Sequence, residues 1–296
     1  MNKKAILLVV LAGLLWGSSG IFFNLLRPFG FTPLQMTAAR GTMAALAVTA
    51  YALIRDRRLF RVELRHVLLI LGSGLCMFGA AAAYYSAIDF SSVSTAVILM
   101  YTSPVFVMAY SVAFLGEKLN PLKVLSVALV LAGCALVSGI IGGMKFSLWG
   151  VVLGLAAGVI YSGYNVIAKI QMMKGLHSLS VTIYNVWIMG GAAVCVCDPV
   201  GLVGIAAQKP AATVPLMIGL GICTCVLPYF LFTYALQELP AGTSAALGVV
   251  EPLAATVYAA LFFGQIPDLP GWIGMVLIIG AVLLLSVSEK EKKTNE

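Results

Sequence analysis

The sequence predicts an all-α integral membrane protein whose ten transmembrane helices form two inverted five-helix repeats. Three observations carry that expectation. The 296-residue chain is 61% hydrophobic and 10% charged, with mean hydropathy +1.04, whereas a soluble domain carries roughly 25% charged residues. Apolar runs of about twenty residues, enough to cross a hydrocarbon core, recur from end to end. A proline-centred apolar run also occurs twice, 148 residues apart.

The apolar runs place spans at roughly 5–26, 33–54, 67–88, 93–115, 121–140, 148–168, 179–198, 213–235, 242–263 and 270–288. The links are short, and no interval is long enough for a soluble domain. The first run follows Lys3 and Lys4 like a signal peptide. It is as long as a full span and lacks a small-residue cleavage site, so it reads as a retained helix. With the N-terminus inside, the inner segments collect Lys3, Lys4, Arg55, Arg57, Arg58, Arg61, Arg65, Lys118, Lys123, Lys169, Lys174, Lys290, Lys292 and Lys293. The outer ones keep only Arg27, Lys145 and Lys209. The positive-inside rule then predicts a multi-pass protein of the cell (inner) membrane with both termini cytoplasmic.

The duplication is clearest in the fourth and ninth spans. At a constant spacing of 148, Thr95 pairs with Thr243, Leu99 with Leu247, Pro104 with Pro252, Tyr110 with Tyr258 and Gly116 with Gly264. A proline inside a span removes a backbone hydrogen bond and kinks the helix, so its recurrence argues for copying. Weaker matches run in the same order: Asn24 with Lys169, Thr37 with Thr182 and Arg40 with Asn185 at a spacing of 145. Five helices per copy is an odd number, so the second copy is inverted. Residues 1–141 and 148–288 are the two repeats, and 289–296 form a short charged cytoplasmic tail. Inverted repeats point to transport, because two near-equivalent halves give two near-degenerate states open to opposite sides.

The net charge of +7 sits at span ends and signals no nucleic acid. All six cysteines fall within predicted spans as packing residues, and the C-x-C pairs split across helix faces without a histidine near, so no metal site is expected. No cofactor is expected either, and without a Walker motif the chain is no primary pump.

Several of these residues also resemble a known family. Leu14-Leu15-Trp16-Gly17, Arg40 in the second span, Pro104-Val105-Phe106 and Phe114-Leu115-Gly116-Glu117-Lys118-Leu119 resemble the EamA family of the drug/metabolite transporter superfamily, as does the second copy ending in Phe263-Gly264. The resemblance covers the whole chain and implies ten helices, transport and no enzymatic activity. Gln265 in place of the acid of the first copy, and Tyr161-Ser162 in place of Trp-Gly, depart from the pattern.

The candidate site residues come from the cost of polar groups in lipid. Glu251 lies about nine residues into its span, where a carboxylate costs several kcal/mol unless it faces a cavity, pairs or takes up a proton. It reads as a proton-coupling group or the counter-charge of an amine; a hydrogen-bonded structural carboxyl is the alternative. Ser103 stands at the equivalent place in the first copy. Arg40 lies near the outer side, where it either snorkels to the interface or faces inward to hold a substrate carboxylate. Trp16, Tyr84, Tyr101, Tyr161 and Tyr229 are candidate cavity lining, with Tyr85, Tyr164, Tyr184, Trp187 and Tyr234 behind them, although a membrane-interface belt uses the same residue types. Asn165 and Asn185 are stronger candidates, because an amide facing lipid is unsatisfied. Pro104 and Pro252 are the helix kinks.

Close helix crossings are expected at Gly13, Gly17 and Gly20, at Gly150, Gly154 and Gly158, and at Gly133, Gly274 and Gly280. The fifth and tenth spans, at the back of each half, offer a surface for a homodimer. The reading is a secondary transporter for a small polar metabolite, an amino acid or related compound, coupled to protons and directed outward. The alternatives are an importer of an amine such as choline, or, outside transport, a membrane-embedded enzyme or a structural or receptor protein.

Overall fold

A computed structural model describes residues 3–91, 93–116, 120–137, 147–264 and 266–294. All regular structure among them is helical. Seven stretches are long and apolar enough to cross a membrane: Lys3–Phe29, Pro33–Arg55, Leu64–Phe90, Leu148–Met173, Ser178–Val196, Pro210–Ala235 and Ala241–Phe263. Shorter apolar helices cover Ser103–Leu115, Pro121–Leu136, Pro199–Gln208 and Leu269–Leu284. Large apolar side chains such as Leu46, Ile54, Phe114 and Leu261 point outward and exposed, as in a protein solvated by lipid. The chain is a multi-pass helical membrane protein. Glu117, Lys118, Lys145 and Gln265 lie outside the described residues.

Helices α1 (Lys3–Gly17) and α2 (Ser19–Leu26) run nearly end to end, and α3 (Pro33–Arg55) opens on a capping box between Thr32 and Gln35. Next come α4 (Val67–Phe90), the broken pair α5 (Val93–Met100) and α6 (Ser103–Leu115), and α7 (Pro121–Val137). The second part holds α8 (Leu148–Met173), α9 (Ser178–Val196) and α10 (Pro199–Gln208). It continues through α11 (Pro210–Gly221), a π-helical turn at Ile222–Val226, α12 (Leu227–Ala235), the broken pair α13 (Ala241–Leu247) and α14 (Val250–Phe263), and α15 (Leu269–Thr294). Helix α10 stands where the sequence predicts only a link. Its amide ends are served by Asp198, whose carboxylate accepts from Gly201 N at 3.0 Å. Helix α15 continues past the expected end of the last span at 288.

The two broken pairs interrupt at matching places. One break falls at Tyr101–Thr102 and the other at Gly248–Val249, 147 residues apart and so within one residue of the 148-residue spacing of the sequence copies. Pro104 and Pro252 sit in the first turn of the helix that follows, where a missing N–H is tolerated. The backbone bridges each break with short i→i−3 bonds, Thr102 N to Leu99 O at 3.2 Å and Glu251 N to Gly248 O at 3.0 Å. Both segments end on a glycine in the left-handed region, Gly116 at φ 65° and Gly264 at φ 66°.

Small residues let these breaks be approached closely. A Cβ on Gly17 of α1 would fall 2.6 Å from Ala254 Cβ and 2.8 Å from the Glu251 carbonyl oxygen. On the other side, a Cβ on Gly158 of α8 would fall 2.9 Å from Thr102 Oγ1 and 3.0 Å from Leu99 O. The first helix of one half thus lies on the broken helix of the other. Gly41 and Gly190 make the tightest crossing of α3 with α9, a Cβ on Gly41 falling 2.6 Å from Gly190 Cα. Two glycine expectations are corrected, since Gly20 and Gly280 have nothing within 4 Å of a built Cβ. Gly133 packs on Ile278 and the Gly274 carbonyl, so it is occupied by the α7–α15 contact inside the chain.

Candidate functional site

Helix α14 carries Glu251 in its first turn, directly before Pro252. The break upstream turns this carboxylate away from lipid and onto a cavity of about 430 Å³. Among the residues singled out by the sequence, Trp16, Arg40, Tyr84, Tyr85, Tyr101, Tyr161, Tyr229 and Glu251 line it, with Pro252 beside them. They come from α1, α3, α4, the α5–α6 break, α8, α12 and α14.

Arg40 faces inward and lines this cavity, which settles the choice between cavity and interface. Its Nε is buried without a protein partner. Its charge is felt by Cys225, Tyr85, Tyr229 and Glu251. Arg40 and Glu251 nevertheless stop short of a direct ion pair, so opposite charges share one wall system without neutralising each other. The Tyr101 hydroxyl, from the broken helix of the other half, is the hydrogen-bond donor to the Glu251 carboxylate.

An aromatic floor closes the cavity. Trp16 meets Tyr229 edge-on at 5.1 Å and Phe232 at 5.5 Å. Tyr229 meets Tyr164 at 5.6 Å, and Tyr164 stacks on Tyr161 at 5.8 Å. Such rings offer both apolar area and negative faces to a cation. Ala80 and Ala81 on α4 also line the cavity, and Ser19 and Thr256 add hydroxyls. The sequence reading missed these residues, along with Met77 and Met100. Their only signal is the small-residue run before Tyr84, which leaves room for a pocket.

Several expected lining residues sit elsewhere. Asn185 packs at the α4–α8–α9 junction, where the Ser73 hydroxyl donates to its Oδ1 at 2.6 Å and Gln171 Nε2 donates to Ser73 at 3.0 Å. The oxygen of this buried amide is served by a neighbouring helix rather than by a cavity, while its Nδ2 is buried without a protein partner. Tyr184 donates to Phe60 O at 2.7 Å, and Trp187 Nε1 to Thr49 Oγ1 at 2.8 Å. Tyr234 is on the surface under Lys4, and Tyr164 is wholly buried core. Asn165 lies below the main cavity and lines a second chamber together with Pro104. Among the described residues no cluster of three or more His, Cys, Asp or Glu could hold a metal.

A polytopic helical bundle with a central, charged, aromatic-walled cavity between two broken helices belongs to the class of membrane transporters. The sequence profile of the EamA-like transporter family matches residues 3–139 and again 148–287, so this chain is a member of the EamA-like transporter family. It is 28% identical over 276 residues to an uncharacterized transporter of Archaeoglobus fulgidus, covering 93% of this chain and 94% of that one. It is also 26% identical over 292 residues to a protein of Streptantibioticus cattleyicolor named a probable terminal-alkyne amino-acid exporter, covering 96% and 94%. A solved crystal structure superposes with TM-score 0.81 over 98% of this chain and 99% of that one at 20% identity, a likeness of fold.

Proposed function

We propose that this family member is a secondary transporter that moves a small polar metabolite, an amino acid or related compound, out of the cell by alternating access coupled to protons. In this reading residues 1–141 and 148–288 are inverted five-helix repeats, ten spans in all. Residues 289–296 are a cytoplasmic tail, and both termini face the cytoplasm from the inner membrane. The matched breaks and the reciprocal packing of α1 on α14 and of α8 on α5 support the repeats.

The observation that carries the reading is Arg40 and Glu251 on the wall of one cavity, opposite in charge and unpaired with each other. A carboxylate deep in a bilayer is costly, so it either binds a cation or takes up a proton. Arg40 supplies the charge and fork geometry that hold a carboxylate. A substrate ammonium and a proton then compete for Glu251, which is the minimal logic of antiport. The amino-acid exporter named among the relatives supports the substrate class.

Purified protein in proteoliposomes tests this. Uptake of labelled amino acids into vesicles is expected to rise several-fold when the pH gradient opposes substrate flow, and to lose that dependence in Glu251→Gln. The aromatic walls around Glu251 favour a second reading, capture of an amine such as choline. Arg40→Ala separates the two, since it weakens capture of a zwitterion by roughly tenfold or more and spares that of an amine.

A further inference from the structure

On the far side of Glu251 from the main cavity lies a smaller chamber of about 20 Å³, with Trp16, Ser103, Asn165, Gly248 and Glu251 in its wall. Asn165 is one turn beyond Tyr161 along α8, and Gly248 precedes α14, so the chamber continues the line of the cavity toward the opposite end of the bundle. One turn further along α8, Lys169 closes that end by donating to the carbonyls of Leu236 at 2.6 Å and Leu239 at 2.9 Å.

Two side chains in this wall carry a buried polar atom without a protein partner, Asn165 Oδ1 and Trp16 Nε1. Asn165 is 0% exposed and Trp16 6%. The Asn165 amide nitrogen already donates to Tyr161 O at 2.8 Å, which leaves the oxygen as an acceptor. An unmade hydrogen bond of this kind costs about 1–3 kcal/mol. The chamber has room for one water, which needs about 10–15 Å³ and two to four polar partners. A water there would have the partners it needs: Trp16 Nε1–H to donate to it, and Asn165 Oδ1 and the Glu251 carboxylate to accept its two hydrogens.

We infer that this chamber is an ordered-water site that gives Glu251 a proton route toward the Lys169 end of the bundle, apart from the path of the substrate. The inference rests on the proton-coupled reading of Glu251. The titratable groups around that carboxylate are Arg40 on α3, Tyr84 on α4, Tyr101 at the α5–α6 break, Cys134 on α7, Tyr161 on α8 and Tyr229 on α12. Among the described residues no second carboxylate or imidazole lines either space. A proton leaving Glu251 away from the cavity therefore has water as its first carrier. The water takes the carboxyl proton and passes on one of its own to solvent when the Lys169 end opens.

Infrared difference spectroscopy and transport in proteoliposomes test the site together. The carboxyl or carboxylate band of Glu251 is identified by its loss in Glu251→Gln. That band is expected to shift in Asn165→Leu, which fills the chamber, and in Trp16→Phe, which removes the donor but keeps the ring. The ratio of gradient-driven transport to gradient-independent substrate exchange is expected to fall about tenfold in both, the effect of one lost charged hydrogen bond. An unmoved band with an unchanged ratio in Trp16→Phe overturns the water site. Gradient coupling that survives Glu251→Gln overturns the proton reading instead, and the band then decides the chamber alone.

Discussion

The broken helices 93–115 and 241–263 share a scaffold and differ in chemistry. Each interrupts within one residue of the same register, carries a proline in the first turn after the break and stops on a left-handed glycine. Where one presents Tyr101 and Ser103, the other presents Val249 and Glu251. The Tyr101 hydroxyl is the donor to the Glu251 carboxylate, so a single charged centre is assembled from both halves. The two helices share a break, and the difference in side chains beside it puts a carboxylate on one of them only. The same asymmetry separates Arg40, which faces the cavity, from Asn185 at the matching place, which is spent on a packing network.

Substitutions at matched positions can break or sharpen this comparison. The largest effect is expected at the charge itself: Glu251→Gln lowers gradient-driven transport by about 100-fold or more, the scale of losing a proton-transfer group. Ser103→Ala, at the equivalent place, changes it by less than about threefold, since a hydroxyl that gives up no charge costs on the order of one weak hydrogen bond. Equal losses in the two would erase the asymmetry. Next, Arg40→Ala weakens binding of an amino-acid substrate by roughly ten- to a hundredfold in a calorimetric titration, the worth of a charged hydrogen bond, whereas Asn185→Ala lowers the melting temperature rather than the affinity.

The third pair concerns packing. Gly17→Val destabilises the protein by about 1–3 kcal/mol or more, because the α1–α14 crossing has no room for a side chain, and Gly20→Val on the cavity side leaves stability unchanged while obstructing substrate. Melting curves with and without substrate separate the two outcomes. The smallest effect is expected at the ends of the bundle. Lys169 reaches two carbonyls of another helix, while Asn24 at the matching place bonds only to Gly20 O in its own helix at 2.9 Å. Lys169→Asn makes the ends alike, costs about 1 kcal/mol of stability, and increases thiol labelling of a cysteine introduced at Leu239.

The seven helices of spanning length were legible because bilayer-length apolar runs leave few alternatives, and the breaks because proline acts on the backbone wherever it stands. Helix α10 was not: its ten residues sit between two prolines and are too short for a periodicity to register. The two charges were legible because a charge inside an apolar run is costly anywhere except at a cavity or a partner. Which partner meets a buried amide was not, since Asn185 Oδ1 accepts from Ser73 across 112 residues of chain. The Gly41–Gly190 crossing also escaped notice, as neither glycine has a second glycine one turn away on its own helix to mark the face. The contribution of α4 to the cavity was invisible for a simpler reason, because Met77, Ala80 and Ala81 look the same whether they face lipid, protein or a pocket.

In the proposed mechanism one carboxylate, Glu251, serves protons and substrate in turn. The most direct measurement is proton release on substrate binding to the purified protein in weakly buffered detergent solution, read with a pH-sensitive dye. Wild-type protein is expected to release protons in proportion to the substrate bound, and Glu251→Gln to release none while still binding through Arg40. Undiminished release from Glu251→Gln would contradict the account.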